Sequence, residues 1–197
     1  MVILLVLAHP HEGSFNHAIS DRIAEIAIQK GHKVIFHDLY KEKFDSILNY
    51  NEILQKEVVN NEINCYCEEL VLADSIVIVH PNWWGQPPAI LKGWVDRVFR
   101  SGVAYKFEEG DEGEGLPIGL LIGKTGLVFN TSNTFVEREL EIFGDPLELI
   151  WRKCIFEFCG IDAFHRRMFE TIVTSTPDQR IKWLDEVSEI VTKSLNL

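Results

Sequence analysis

Two stretches of this chain combine residue types that could do chemistry at one place. The first runs from His80 to Arg100, HPNWWGQPPAILKGWVDRVFR. It turns through Pro81, Gly85, Pro87 and Pro88 and enters a helix at about Ala89. Proline stiffens such a backbone. The two indoles of Trp83 and Trp84, the amide of Asn82 and the turn's own N–H groups then suit a flat ring with polar edges. The second stretch is His9-Pro-His-Glu-Gly-Ser-Phe-Asn16. Ser14 has the chemistry of a helix N-cap, and the exposed N–H groups of the turn after it favour an anion. A phosphate there would be held by Ser14, Asn16, the amide of Phe15 and, when it donates, His9. Taken singly, each stretch also has a plain reading. The first is a strand–turn–helix with Trp filling a core, the second a capped helix with two surface histidines. Their common placement favours the chemical reading, because both follow apolar runs that read as strands. Open α/β sheets bind ligands at the carboxyl ends of their strands.

Those runs belong to a regular alternation. Val2–Ala8, Lys33–Asp38, Ser75–Val79, Lys124–Asn130 and Ala163–Ile172 read as strands. Phe15–Lys30, Asn61–Ala73, Ala89–Arg100, Asp145–Cys159 and Asp178–Leu195 read as helices. In Ala89–Arg100, Ile90, Leu91, Trp94, Val95 and Val98 recur at near-helical spacing with Lys92, Asp96 and Arg97 between them. Leu39–Asn60 is polar and irregular. Gly102–Gly123 is an acidic, glycine-rich excursion, and its Glu108–Gly115 run reads as a mobile, solvated loop tip. Strands alternating with helices predict a doubly wound α/β fold, here one domain over residues 1–197.

Composition narrows the function classes. The chain has 197 residues, 46% of them hydrophobic and 25% charged, and a formal net charge of −11. With no basic patch, nucleic-acid and anionic-membrane binding are not expected. Met1–Leu7 is apolar but short and lacks a basic n-region, so it reads as a first strand rather than a signal peptide, and a cytoplasmic location is expected. The four cysteines, Cys65, Cys67, Cys154 and Cys159, match no common zinc spacing; they read as reduced and structural, with no metal. Gly119-Leu-Leu-Ile-Gly-Lys-Thr125 is one residue short of a P-loop and leads into a strand. No G-x-G-x-x-G occurs, so a Rossmann nicotinamide site is unsupported. His32, His37 and His165 are dispersed and carry no assigned role.

Pro81-Asn-Trp-Trp-Gly85, then Pro88-Ala-Ile-Leu-Lys-Gly-Trp94 and Asp96-Arg97-Val98-Phe99, resemble the signature segment of the flavodoxin-like NAD(P)H:quinone oxidoreductases. That group includes quinone reductases, general stress protein 14-like proteins and flavin-binding regulatory subunits of potassium efflux systems. The resemblance covers nearly the whole chain. It implies a five-stranded parallel sheet in the order 2-1-3-4-5. It also implies that the Trp-rich turn cradles an isoalloxazine ring through backbone amides, and that His9–Asn16 is the flavin-phosphate loop. A third loop, Asn130-Thr131-Ser132-Asn133-Thr134, would approach the ring's pyrimidine side. The family has a Thr-Thr-Gly-Gly-like turn there; this chain has no glycine, and Asn133 is the residue able to take a positive φ. Relatives often carry a Tyr and a His shortly afterwards, and Glu137 and Phe143 stand at those positions.

Within Gly102–Phe107, Tyr105 and Phe107 correspond to an aromatic lid over the neighbouring subunit's flavin, which implies a homodimer. Trp84, Tyr105 and Phe107 would shape the substrate pocket. The implied activity is transfer of two electrons from NAD(P)H to a quinone or similar small acceptor by a ping-pong scheme, the flavin carrying the chemistry. The expected cofactor is FMN. FAD is the alternative because Arg180 falls where FAD-binding relatives place an Arg; the competing reading puts Arg180 in solvent, and Leu39–Asn60 lacks a Gln-x-Pro platform for a purine. A flavin-binding regulatory subunit of a potassium efflux system is the second functional reading. A one-electron flavodoxin carrier is weaker, since the first loop is not the Ser/Thr- and Gly-rich kind.

Overall fold

A computed structural model describes residues 1–53, 60–108, 110 and 115–196. The chain runs β1 (Val2–Leu7), α1 (Phe15–Gln29), β2 (Lys33–Asp38), α2 (Tyr50–Ile53), α3 (Asn61–Leu72), β3 (Ser75–Pro81) and α4 (Ala89–Val98). There follow β4 (Tyr105–Lys106), β5 (Ile118–Gly119), β6 (Thr125–Thr131), α5 (Val136–Glu141), α6 (Pro146–Leu149), β7 (Ala163–Phe169) and α7 (Pro177–Leu195). The main sheet is parallel throughout, in the order β2-β1-β3-β6-β7, the flavodoxin-like order.

Strand alternation sorts the core into two layers. Ile3, Leu5 and Leu7 of β1, Val77 and Val79 of β3, and Leu127 and Phe129 of β6 pack against α1 and α7 through Ile19, Ile23, Trp183 and Val187. Leu4 and Val6, Ile76 and Ile78, and Val128 face the other way, onto Leu70 of α3, Trp94 of α4 and Trp151 and Phe156. Sandwiched between two helical layers, β3 is buried along its whole length, as a near-continuous apolar run requires.

The structure corrects several boundaries. β3 reaches Pro81 and β6 reaches Thr131, so His80 pairs with Asn130 and Pro81 with Thr131 at the rim. The helix expected over Asp145–Cys159 changes type along its length. Asp145 takes a left-handed conformation (φ 46°) and its side chain accepts the Glu148 N–H. After α6 the chain passes through a π-helical stretch, Ile150–Phe156, and a 3₁₀ turn, Glu157–Cys159, stopped by Gly160 at φ 88°. α5 forms in a stretch to which the sequence reading assigns no element, since six residues are too few to show a period. β7 ends at Phe169, short of Ile172, and a 3₁₀ turn at Ile172–Thr174 follows. The Gly102–Gly123 excursion contains an antiparallel ribbon, β4 with β5. Much of its acidic run, residues 109 and 111–114, lies outside the described residues. All four cysteines are free thiols. Among the described residues no helix is long and apolar enough to cross a membrane.

Candidate functional site

The three loops expected to act together meet at the carboxyl rim of the sheet around a cavity of about 800 Å³. From the first loop, His9, Ser14, Phe15 and Asn16 line it. Ser14 is the N-cap of α1, its Oγ accepting the His17 N–H at 3.3 Å. The Phe15 and Asn16 amides precede the helix's own acceptors and have no acceptor among the described residues. Ser14 Oγ also lies 2.9 Å from His17 Nδ1, and His17 Nε2 lies 3.2 Å from Asp38 Oδ2. If Nε2–H donates to the carboxylate, Nδ1 is bare and takes the Ser14 hydroxyl proton. With the His17 N–H on one lone pair, the serine then has only its other lone pair, not its proton, left for the cavity.

Asn16 is buried at 2% exposure. Its Nδ2 donates to Thr131 Oγ1 at 2.9 Å, and its Oδ1 has no partner. An orphaned buried acceptor is costly and uncommon. His9 Nδ1 faces the His11 backbone, 3.1 Å from its N and 3.3 Å from its O, and Nε2 is left without a partner among the described residues. Burial pushes the His9 pKa below the ordinary value, so the ring is neutral at pH 7 and acts at most as a neutral donor.

The Trp-rich turn is held from inside. Trp83 and Gln86 exchange backbone hydrogen bonds of 3.0 Å each, the Asn82 N–H donates to Thr131 O, and the Gly85 N–H donates to Asn82 Oδ1 at 2.9 Å. The expected cradle of amides is therefore mostly spent. The Trp84 N–H is the one in Asn82–Gly85 with no acceptor among the described residues. Trp84 (φ 59°) and Gly85 (φ 70°) both lie in the left-handed region, and the Trp84 side chain is 100% exposed. A Cβ added at Gly85 would lie 2.7 Å from Pro146 Cγ. Beneath the turn, fully buried His80 accepts the Trp151 Nε1–H at 2.9 Å and sits 2.8 Å from Pro81 O. Burial pushes its pKa down to about 4.

Thr131, Ser132, Asn133 and Thr134 supply the third wall. Asn133 does not adopt a positive φ. The glycine-free turn is instead closed by side chains, Ser132 Oγ accepting the Thr134 N–H and Asn133 Oδ1 the Val173 N–H, each at 3.0 Å.

The cavity wall thus includes every residue expected from the three loops except Asn130. Asn130 lies within β6 and is fully buried. Alternation turns it to the face opposite Thr131, where its Oδ1 accepts from Arg166 at 2.9 Å. Tyr105 and Phe107 also lie outside this cavity, packed edge to face at 5.8 Å by the β4–β5 ribbon. Arg180 is not turned to solvent. It is half-buried in the cavity wall, its Nε donating to Ser175 Oγ and its Nη2 to Ile172 O. Of the pair standing in for Tyr and His, Phe143 lines the cavity and Glu137 is exposed outside it. Gly13, Glu139, Pro146 and Ile172 complete the wall unannounced. Glu139 is one of three glutamates in Val136–Glu141, and nothing in so short a run marks which one turns inward.

The profile of the family described as having a flavodoxin-like fold matches residues 1–191. A Haemophilus influenzae protein named as an uncharacterized NAD(P)H oxidoreductase is 35% identical over 173 residues, covering 86% of this chain and 83% of that one. The chain belongs to the flavodoxin-like NAD(P)H:quinone oxidoreductase family. The crystal structure of Smu.1420 from Streptococcus mutans UA159 superposes with a TM-score of 0.86 at 31% identity, covering 98% of this chain and all of that one. The FMN-dependent NADH:quinone oxidoreductase of Geobacillus kaustophilus is 28% identical over 82% of this chain and 83% of its own length. In this member of the flavodoxin-like oxidoreductases, side-chain hydrogen bonds from Ser132 and Asn133 hold the shape of the glycine-free third loop.

Proposed function

We propose that this chain is an enzyme that binds FMN in the rim cavity and oxidises NAD(P)H at the expense of a quinone or similar small acceptor. The observation that carries the reading is the set of unmet groups in one cavity. The amides of Phe15 and Asn16 suit a phosphate at the N-terminus of α1, and the orphaned Oδ1 of Asn16 suits a hydroxyl on the chain that links phosphate to ring. A bound flavin would supply two-electron redox chemistry between NAD(P)H and the second substrate. The protein's own work is binding and orientation. Trp84 offers a free indole face and one free amide, Trp83 and Pro81 wall the ring site, and Thr131, Ser132 and Asn133 close its far side. One cavity for donor and acceptor means that they alternate, which is the basis for a ping-pong order.

FMN is favoured over FAD because the first loop offers a single phosphate site, and two groups of Arg180 are already committed to Ser175 and Ile172. The FMN dependence named for the Geobacillus relative supports the same choice. Tyr105 and Phe107, remote from their own cavity, serve the partner's site in a homodimer on this reading. Among the described residues nothing favours a potassium efflux partner over turnover. Mass spectrometry of the released cofactor, with turnover of NADH and NADPH against a soluble quinone, tests the proposal. FMN mass and steady turnover are expected; absence of flavin binding by the apoprotein sinks it.

A further inference from the structure

Glu139 is a carboxylate buried at 4% exposure in the cavity wall. A single oxygen, Oε1, accepts from Asn82 Nδ2 at 2.8 Å and from Ser132 Oγ at 3.4 Å. Each donor then does a second task. With its NH₂ turned to the carboxylate, Asn82 must present Oδ1 to the Gly85 N–H, and this holds the left-handed Trp84–Gly85 pair in place. With its proton given to the carboxylate, Ser132 Oγ accepts the Thr134 N–H and closes the third loop. Two of the three loops are therefore set by one buried oxygen.

No cation neutralises this group among the described residues. Arg138 stacks on Phe143, Arg166 is engaged by Asp145, Glu148 and Asn130, and Arg180 is held by Ser175 and Ile172. Glu139 Oε2 receives no hydrogen bond from a described residue. A carboxylate in this setting favours donors and opposes the build-up of negative charge nearby.

We propose that Glu139 is a positioning residue of the flavin site, acting through Asn82 and Ser132, and that its uncompensated charge holds down the reduction potential of the ring bound beside it. This rests on the flavin reading above. The effect of the charge is to make the bound cofactor a stronger reductant toward its second substrate, at the expense of easier reduction by NAD(P)H.

Two variants separate geometry from charge. E139Q keeps an oxygen for Asn82 and Ser132 but removes the charge; E139L removes both. In amide hydrogen exchange on the flavin-free protein, the Gly85 N–H stays protected in wild type and E139Q and loses protection in E139L. FMN titration should show E139Q within about twofold of wild type and E139L weakened about tenfold or more, roughly the value of one lost hydrogen bond. The midpoint potential of FMN bound to E139Q should lie above that of wild type. An unchanged potential in E139Q overturns the charge effect, and unchanged Gly85 protection in E139L overturns the positioning role. Should E139L not fold, E139A gives the same exchange test with Asn82 left in place, and E139Q still carries the potential. A wild-type protein that binds no FMN removes the flavin reading and the charge effect with it, while the exchange result still decides the positioning of the loop.

Discussion

His80 illustrates how one buried side chain ties chemistry to stability. Its neutral ring is fixed between the Trp151 indole and Pro81 O directly under the Trp83–Gly85 turn. With a folded pKa of about 4 against 6.5 unfolded, the unfolded chain binds the extra proton between those values. Stability therefore rises with pH across that window and falls as the solution is acidified from pH 6.5 toward 4. The difference is worth about 3 kcal/mol at about 1.4 kcal/mol per pH unit. His9 and His165, both lowered chiefly by burial, act in the same direction. His37 opposes them. Burial works to lower its pKa, but Glu42 and Glu69 on its two nitrogens raise it overall, so its contribution is present below pH 6.5 and is lost as pH rises through the higher folded value. Denaturant unfolding at pH 7 and pH 4.5 should show a clear loss in wild type and a smaller one in H80Q.

The other residue-scale expectation concerns the first loop. S14A should cost about 1 kcal/mol through the lost α1 cap. S14A/N16A together should weaken FMN binding about tenfold while the fold survives, since S14A loosens the turn that presents the Phe15 and Asn16 amides and N16A removes an acceptor for a hydroxyl of the linking chain; unchanged affinity would place phosphate and linking chain elsewhere. Residue identity made His9, Ser14, Phe15, Asn16 and the Trp pair legible in the sequence, because cap, proline and indole each have a local signature. Asn130 misled because its direction depends on how far β6 continues. Ser14–His17–Asp38 was missed because Asp38 reaches His17 only after β2 pairs beside β1.

At the scale of elements, the site depends on how far strands extend and how closely helices approach. Pairing of His80 with Asn130 and of Pro81 with Thr131 carries the sheet into the rim, so the second and third loops share a rigid base. Gly85 is where this rim meets α6. G85A combines a left-handed φ with a Cβ 2.7 Å from Pro146 Cγ, and should lower stability by about 1–3 kcal/mol and weaken FMN binding, read by denaturation and titration. On the far side of the sheet, a Cβ at Gly93 of α4 would lie 2.2 Å from Ser46 O, where backbone cannot yield cheaply. That close approach lets Arg97 reach Glu52 at 2.7 Å and seat the connection after β2. Strands and long helices were readable because their periods are long enough to repeat. α5 and the π-helical stretch were not, since a six-residue helix has no period to show and a π turn differs from an α turn only in which carbonyl its N–H finds.

For the whole molecule, alternation of strand and helix predicted the doubly wound sheet, and order came from the family resemblance because alternation alone allows several. What one chain leaves exposed bears on assembly. Leu120 and Ile122 beyond β5 and Phe158 near Tyr105 form an apolar margin beside the ribbon, exposed by 39%, 75% and 36%. Single exposed apolar residues are ordinary, whereas a grouped set marks a contact surface. Light scattering at micromolar concentration should give twice the chain mass, and I122D should shift it toward monomer with loss of quinone turnover. A monomeric wild type would remove the lid role of Tyr105 and Phe107.

The five tryptophans divide in a way that makes the rim self-reporting. Trp94 and Trp151 are fully enclosed and Trp183 is nearly so, while Trp83 is partly open and Trp84 projects wholly into water. Three indoles thus emit from dry, rigid surroundings as a blue, steady background. The red, water-relaxed part of the emission comes from the two that flank the cavity, chiefly Trp84. Occupancy of the site by any flat molecule can be followed by loss of that red component, with W84F as the silent control, and the same band at rest measures how far the rim is open.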